Sequence, residues 1–252
     1  MIQHHEIIAT LKRFKFPGAI ANLDIRLKEV QENELGHMDF LYLVLQDELL
    51  SRESNNLEKR IRSAGFMVQL TFEQFDFNFN REALQPNIIR DLATCHFIER
   101  KENLVLCGPP GIGKSHIACA IGHEACRRQM EVLFRKTSKL IEELTDPLYP
   151  KRCAKLLKRA LSCDLLILDD FAFRRYSQEE SEVLYTLADD RLGKKSTIIT
   201  SNRPTEEWYG IFPDPVIGGA LMDRLVSGAI KIVVTKGKSY RKEKNTVAKK
   251  EK

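Results

Sequence analysis

The chain has 252 residues, 43% of them hydrophobic and 30% charged, which is enough for one large domain or a medium domain with a smaller one. Its apolar runs are far shorter than the roughly 20 residues of a membrane span, and it starts without a secretory signal, so we expect a globular cytoplasmic protein with no membrane partner. The net charge of +5 is concentrated in residues 236–252, which leaves the rest of the chain close to neutral.

Residues 1–65 have apolar side chains at helical spacing and predict three helices. A break at Phe16-Pro17-Gly18 separates the first two, and a longer third helix starts near Asp39 and ends at Gly65. Such a bundle either presents one helix to DNA or docks a protein partner. Residues 1–80 carry nine basic and twelve acidic side chains, so an electrostatic DNA clamp is not favoured here.

Residues 66–81 form a connector rich in phenylalanine. A solvated linker would not carry so much apolar surface, because each buried Phe stabilises a fold by about 2 kcal/mol. We therefore expect this segment to pack on the domain that follows, although an aromatic rim for a nucleotide base is the alternative. The four side chains are Phe72, Phe75, Phe77 and Phe79.

Residues 82–235 alternate short apolar runs with helical stretches, which predicts a three-layer α/β domain around a parallel sheet. The six cysteines lack zinc-site spacing and are interpreted as reduced thiols in the core. The predicted strands are Leu104–Cys107, Val132–Phe134, Leu165–Leu168, Thr197–Thr200 and Ile230–Val234, and the predicted helices lie near 114–129, 136–144, 151–161, 178–192 and 217–226.

A phosphate-binding loop is predicted between the first strand and the helix after it. Its residues match G-x-x-x-x-G-K-[ST] at every fixed position: Gly108, Pro109, Pro110, Gly111, Ile112, Gly113, Lys114 and Ser115. Glycines let backbone N–H groups close around phosphates, and the helix N-terminus adds partial positive charge. Lys114 is expected to reach the β- and γ-phosphates of ATP, and the Ser115 hydroxyl to bind Mg²⁺.

Asp169 and Asp170 end the apolar run that starts at Leu165. Two carboxylates at the end of a buried strand are costly to desolvate, so they predict a cation in front of them. Asp169 is expected to hold Mg²⁺ through water, and Asp170 to orient or deprotonate the attacking water.

Two further polar residues leave open alternatives. Asn202 follows a strand and either holds the γ-phosphate or attacking water, or is a turn residue before Arg203-Pro204. Arg224 is either an arginine finger for a neighbouring subunit or half of a surface pair with Asp223, and spacing alone favours the surface pair.

Basic clusters and the basic tail suit either contact with duplex phosphates or a solvated surface, and they lack the interleaved aromatics of a single-strand platform. The clusters are Arg127-Arg128, Lys151-Arg152 with Lys155, Lys158 and Arg159, Arg174-Arg175, and Lys194-Lys195.

Several stretches together are similar to the IstB-like ATPases, which are helper proteins of bacterial insertion-sequence transposition and an AAA+ branch close to the DnaC-type helicase loaders. The stretches are GPPGIGKSH from Gly108, LLILDDF from Leu165, IITSNRP from Ile198 with Trp208 after it, MDRL from Met222 and GKSYR from Gly237.

The resemblance implies a five-stranded AAA+ core that binds ATP and Mg²⁺, with His116 included in the ATP-binding loop. It implies that Asp169 and Asp170 form Walker B, Asn202 is sensor 1 and Arg224 is the arginine finger. The expected partners are duplex DNA, the element's transposase, and further copies in an ATP-dependent oligomer. The resulting domains are 1–65 for DNA or partner binding, 66–81 as connector, 82–235 as ATPase and 236–252 as basic tail.

Two departures from the AAA+ pattern affect this expectation. Asp170 stands where many members have Glu, and its shorter reach predicts slow hydrolysis. The chain also ends soon after its last strand, so the helical lid is missing or vestigial, and Arg241 is a candidate replacement for the lid's sensor 2 arginine. The alternatives are a DnaC-like replicative helicase loader and a nucleotide-gated DNA-binding adaptor with negligible hydrolysis.

Overall fold

The computed structural model describes residues 4–240 and 242–243. Contacts divide the chain into two compact units, the first ending at Lys59 and the second starting at Arg60. Across the described part of the chain, no helix is long and apolar enough to cross a membrane. Arg241, the candidate sensor 2 residue, and residues 244–252 of the basic tail lie outside the described residues.

Three helices build the first unit, as the sequence predicts: α1 (His4–Arg13), α2 (Pro17–Glu32) and α3 (His37–Ala64), whose last residues belong to the second unit. Pro17 starts α2 because its fixed backbone angle suits the first helical turn. Ala19, Leu23 and Val44 form a small buried core between α2 and α3.

Two buried carboxylates of α3 compensate for the small size of this core. Glu48 accepts hydrogen bonds from the backbone N–H groups of Gly18 (2.8 Å) and Ala19 (3.3 Å), so it caps the N-terminus of α2. Asp47 accepts two bonds from Arg26, at 2.8 Å from both Nε and Nη2. These contacts lock α2 onto α3.

Both carboxyl groups have folded-state pKa values below their ordinary ones. The hydrogen bonds from Arg26 are the main reason that the pKa of Asp47 is lowered. Burial acts to raise the pKa of Glu48, but the hydrogen bonds from Arg52, Ala19 and Gly18 outweigh it and lower the pKa.

The second unit contains five strands, and each lies within a residue or a few of its predicted position. They are β1 (Leu104–Cys107), β2 (Val132–Lys136), β3 (Leu165–Phe171), β4 (Ser196–Ser201) and β5 (Ile230–Val233). All pair in parallel, in the order β2-β3-β4-β1-β5. The carboxyl ends of β1, β4 and β3 are therefore neighbours, and such an edge is where α/β sheets bind ligands.

Helices α4 to α10 accompany this sheet. The sequence pattern does not predict α4 (Pro86–Ala93) or the short α5 (His96–Glu99). The predicted five are α6 (Lys114–Arg127), α7 (Thr137–Leu144), α8 (Pro150–Ser162), α9 (Gln178–Arg191) and α10 (Pro215–Val226).

Helices cover both faces of the sheet, which confirms the three-layer α/β prediction. Val105, Leu166 and Ile199 face a core that α7, α8, α9 and α10 complete. Ile167, the next residue of β3 after Leu166, points to the other face and lies against Gly122 of α6. Because both faces are buried, the strands need continuous apolar residues.

Arg191 is a fully buried cation that joins α8, α9 and the start of β4. Its guanidinium donates to the carbonyls of Ala160 (2.6 Å) and Cys163 (3.0 Å), to the Thr197 hydroxyl (3.1 Å) and to the Ser196 carbonyl. Carbonyls at the end of α8 have no partners inside their own helix, so Arg191 satisfies groups that burial would otherwise leave unpaired. Desolvation lowers the pKa of Arg191.

The phenylalanine-rich connector packs on α6, in agreement with the anchoring that its composition predicts. The Phe75 ring meets the His116 ring edge-to-face, with 5.1 Å between centroids. A methyl group on Gly113 would lie 3.3 Å from the same Phe75 ring. The connector therefore contacts the start of α6, directly beside the phosphate-binding loop.

Replacing Glu48 with Gln removes the charge that caps α2, so the amides of Gly18 and Ala19 should exchange hydrogen about fivefold faster or more at neutral pH. The folded pKa values of Glu48 and Asp47 lie below their ordinary 4.5 and 3.8, so the stability they contribute is present above those values. It is lost as pH falls through the lower folded values. Hydrogen exchange of the full chain between pH 7 and 3 measures both effects.

Glu53→Gln is the matched control, because Glu53 is exposed on the same helix. Protection of the Gly18 and Ala19 amides that stays constant across this pH range, after correction for intrinsic exchange, would contradict the role assigned to the two carboxylates.

Candidate nucleotide-binding site

The predicted phosphate-binding loop joins β1 to α6 and depends on glycine at three points. Gly108, Gly111 and Gly113 have positive φ angles of 150°, 86° and 107°. A methyl group on Gly111 would also lie only 2.2 Å from the Ser239 Oγ. α6 begins immediately after Gly113, so its first N–H groups are available to an anion in the loop.

Lys114 connects this loop to the end of β4. Its Nζ donates to the carbonyls of Gly108 (2.7 Å) and Pro109 (2.9 Å) and to Oδ1 of Asn202 (2.9 Å). The side chain is buried to 8% exposure. The structure thus brings together Lys114 and Asn202, which are 88 residues apart in the chain.

Asp169 is the hub of the site. Its Oδ1 accepts one bond from Ser115 Oγ at 2.7 Å and another from Thr200 Oγ1 at 2.6 Å. Its backbone carbonyl accepts a third bond, from Thr137 Oγ1 at 3.0 Å. The carboxylate is 5% exposed, so these hydroxyls replace the water that burial removes.

Asp170 differs from Asp169 in backbone and environment. It adopts the left-handed region at φ 54°, which is uncommon for a residue with a Cβ, and the pairing of β3 with β4 is irregular between Leu168 and Phe171. Its N–H donates to Thr200 Oγ1 at 3.1 Å. Its Oδ2 lies 3.2 Å from Lys136 Nζ, and both side chains are partly exposed.

The donor atoms at Ser115 and Asp169 fit Mg²⁺. No group of three or more His, Cys, Asp or Glu side chains in the described residues is arranged as a metal cage. Mg²⁺ does not require one, because it uses one or two protein oxygens and fills its shell with phosphate oxygens and water. A hydroxyl and a carboxylate oxygen 2.7 Å apart beside a phosphate-binding loop meet that need.

The other residues of the predicted ATP-binding set lie around the loop. Ile112 is buried under it and Pro110 is exposed. The His116 ring is engaged with the connector, where Nε2 lies 2.8 Å from the Thr71 carbonyl. Cys107, just before Gly108, is an unpaired thiol whose pKa burial raises to about 11, which makes it unreactive.

The segment after β5 crosses the loop. The Tyr240 N–H donates to the Gly111 carbonyl at 2.9 Å. Asn80 of the connector makes two 2.9 Å hydrogen bonds with the backbone of Lys238. Phe79 and Tyr240 meet edge-to-face at 5.0 Å. The connector and this C-terminal segment therefore contact each other, and both pack against the loop.

Arg224 is not brought to this site within one chain. Its backbone carbonyl accepts from the Asn103 side chain at 3.3 Å, and Asn103 immediately precedes β1. Arg224 thus lies by the amino end of β1, whereas the loop follows the carboxyl end. Its guanidinium pairs with Asp189 and stacks 4.6 Å from the Tyr185 ring centroid. The carboxylate that pairs with Arg224 is therefore Asp189, and not Asp223 as the sequence suggests.

The sequence alone predicts no role at the site for Thr200, Lys136 or Asn80. Thr200 had one usable signal, since it is a hydroxyl that ends an otherwise apolar strand beside Ser201 and Asn202. Lys136 and Asn80 gave none, because their partners are distant in the chain and neither belongs to a motif.

A model of the family described as IstB-like ATP binding protein matches residues 9–248. The chain belongs to the IstB-like family. Among its relatives, an ATP-binding protein of an insertion sequence from Mycobacterium tuberculosis is 38% identical over 93% of both chains. The IS21 ATP-binding protein of Pseudomonas aeruginosa is 34% identical over 95% of this chain and 90% of its own.

Solved structures share the fold. The DnaC helicase loader aligns with a TM-score of 0.56 at 22% identity, covering 66% of this chain and 96% of its own. AMPPCP-bound DnaA from Aquifex aeolicus aligns with a TM-score of 0.55 at 20% identity, covering 73% of this chain and 55% of its own. The predicted AAA+ fold, with its five-stranded parallel sheet and N-terminal helices, is therefore confirmed.

Thr200→Val tests the hydroxyl that serves both acidic residues, because valine keeps the shape of threonine and removes its two hydrogen bonds. A bond to a charged group contributes roughly 1.5–3 kcal/mol, so affinity for Mg-ATP should fall about tenfold or more. Calorimetric titration with Mg-ATP measures this loss. Thr186→Val, at an exposed position on α9, is the control, and equal affinities in the two variants would refute the role of Thr200.

Proposed function

We propose that this IstB-like ATP-binding protein hydrolyses ATP with Mg²⁺, assembles as an oligomer on duplex DNA, and stimulates or targets the transposase of its insertion sequence. The observation that carries the proposal is the convergence of Lys114, Ser115, Asp169 and Asn202 at one edge of the sheet. Membership of a family of insertion-sequence ATP-binding proteins supports the transposition context.

Each residue of this edge has a chemical role in the proposal. The loop amides and Lys114 hold the β- and γ-phosphates, and Asn202 holds the γ-phosphate or the attacking water. Ser115 and Asp169 hold Mg²⁺, which neutralises phosphate charge when it is bound. Asp170, which has a left-handed backbone conformation, orients or deprotonates the attacking water.

Oligomerisation is supported by the position of Arg224. This arginine lies by the amino end of β1, while the phosphate-binding loop follows the carboxyl end. A finger so placed can act only on the nucleotide of a neighbouring copy. A shared site of this kind makes hydrolysis depend on assembly.

Contact with duplex DNA is supported by α8, which carries five basic and no acidic residues. Lys151, Lys155 and Lys158 are exposed at positions i, i+4 and i+7, so they form one row along the helix. Leu148 and Tyr149, just before α8, are 79% and 56% exposed. A row of lysines beside exposed apolar side chains suits a phosphate backbone and the adjoining groove.

Residues 1–65 are proposed as the domain that binds the transposase. Met38, Leu41, Leu45 and Leu49 of α3 are 47–76% exposed and share one helix face. An apolar stripe in a segment with more acidic than basic residues suits a protein better than DNA.

A nucleotide-gated adaptor with negligible hydrolysis is the second candidate, and the ion pair between Asp170 and Lys136 favours it. A carboxylate oxygen that contacts an ammonium group is less accessible to an attacking water molecule. The helicase-loader alternative is supported by fold similarity alone.

The shared-site proposal predicts rescue between two inactive variants. Lys114→Ala lacks a working nucleotide site but keeps its finger, and Arg224→Ala lacks the finger but keeps its site. Each alone should hydrolyse ATP at least about 100-fold more slowly than wild type, with or without duplex DNA. Mixing the two should restore turnover at junctions where an intact finger meets an intact site.

Steady-state ATPase assays across a range of protein concentrations, with sedimentation in parallel, measure this rescue. Specific activity of wild type should rise with concentration. An Arg224→Ala variant as active as wild type at all concentrations would rule out the shared site, and ATP-dependent assembly without turnover would favour the adaptor.

The DNA proposal predicts a change in salt dependence. Replacing Lys151, Lys155 and Lys158 with Gln should reduce the slope of log K against log salt by about 2–3, because each phosphate contact contributes about 0.9. Fluorescence anisotropy with a labelled duplex measures it. Neutralising Lys101, Lys194 and Lys231, which are exposed by the amino ends of strands, removes equal charge and is the control. Equal slopes for both triple variants would exclude α8 as the contact.

A further inference from the structure

Arg224 is held by three groups of its own chain. Its Nε donates to Oδ1 of Asp189 on α9, and its Nη1 donates to the Ala220 carbonyl at 3.0 Å. Its guanidinium carbon lies 4.6 Å from the centroid of the Tyr185 ring, also on α9. Asp189 and Tyr185 are one helical turn apart, so together they fix an edge and a face of the same guanidinium.

The contacts leave one part of the guanidinium for another molecule. No described residue accepts a hydrogen bond from Nη2, and the side chain is 23% exposed. Packing of α9 against α10 sets the position of the supporting pair, because Leu184 and Leu187 of α9 and Leu221 of α10 belong to one buried core. The arginine side chain is therefore held in place by its own chain and still has donors available to another molecule.

We infer that Asp189 and Tyr185 are positioning residues that hold Arg224 ready for the nucleotide site of a neighbouring copy. The inference rests on the proposed shared site and adds to it the two side chains on which the arginine depends.

The physical reason is the conformational freedom of arginine. A free arginine samples many rotamers, and fixing it at the moment of reaction lowers the rate. Asp189 takes Nε and leaves the Nη2 donors in the plane of the guanidinium, where a phosphate oxygen can accept them. Tyr185 covers one face and removes rotation about the last side-chain bonds.

The opposite reading is that Asp189 sequesters the arginine and slows the reaction. The two readings predict opposite signs for one variant. If Asp189 positions Arg224, Asp189→Asn lowers kcat about 10- to 100-fold, the range typical of a catalytic group displaced by about 1 Å, and changes KM less than twofold. If Asp189 sequesters it, kcat rises.

The test uses the mixed oligomers of Lys114→Ala, the finger donor, with Arg224→Ala, the site donor. Adding Asp189→Asn to the finger donor should cut the recovered turnover about 10-fold or more. Adding it to the site donor, which has no arginine to position, should cut it far less. A purely structural effect of the substitution would act equally in both subunits. Asp190→Asn in the finger donor, which removes the neighbouring exposed charge, is the matched control.

Tyr185 adds an independent arm to the test. In the finger donor, Tyr185→Phe keeps the aromatic face and should retain most of the recovered turnover, whereas Tyr185→Leu should lose about threefold. Failure of the two parent variants to rescue each other would overturn the shared site itself. Rescue that is indifferent to Asp189→Asn in the finger donor, or increased by it, would overturn the positioning inference alone.

Discussion

One buried carboxylate oxygen organises the site. Oδ1 of Asp169 stands at the end of β3, and two hydroxyls, from Ser115 at the start of α6 and Thr200 at the end of β4, donate to it. A buried carboxylate without such partners would be strongly unfavourable, so the start of α6 and the end of β4 must both lie within hydrogen-bond distance of Asp169. The same placement of β4 brings Asn202, two residues after Thr200, against Lys114.

The strands and the loop could be predicted because their physical requirements are local. A strand buried on both faces needs continuous apolar residues, and a backbone that turns through positive φ needs glycine at Gly108, Gly111 and Gly113. The order of the strands could not be predicted in this way, because β4 inserts between β1 and β3 through contacts that no local pattern encodes. The left-handed backbone of Asp170 is equally hidden, since nothing in its local sequence demands it.

Pairs that are distant in the chain are the part of the structure that the sequence conceals. Glu48 caps a helix by accepting a hydrogen bond from the Gly18 amide, thirty residues earlier in the chain. Arg191, on α9, donates to a carbonyl at the end of α8. Lys136 contacts Asp170 on the neighbouring strand. By residue type and local sequence, each of these charged residues looks like an ordinary surface residue. Only the fold shows that Glu48 and Arg191 are buried and satisfied, and that their removal would leave backbone groups without partners.

In the proposed reaction, the nucleotide site lies at the carboxyl end of β1 and the arginine finger at its amino end, so the two come from different copies of the chain. At the carboxyl end, Lys114 donates to loop carbonyls, contacts that bound phosphate groups would replace, and Asp170 contacts Lys136. At the amino end, Arg224 is already ordered by Asp189 and Tyr185. In the proposed shared site the nucleotide would rearrange the contacts of Lys114 while the arginine keeps its own, so ATP would be the component whose arrival changes the structure. Assembly would then follow nucleotide binding, and hydrolysis would follow assembly.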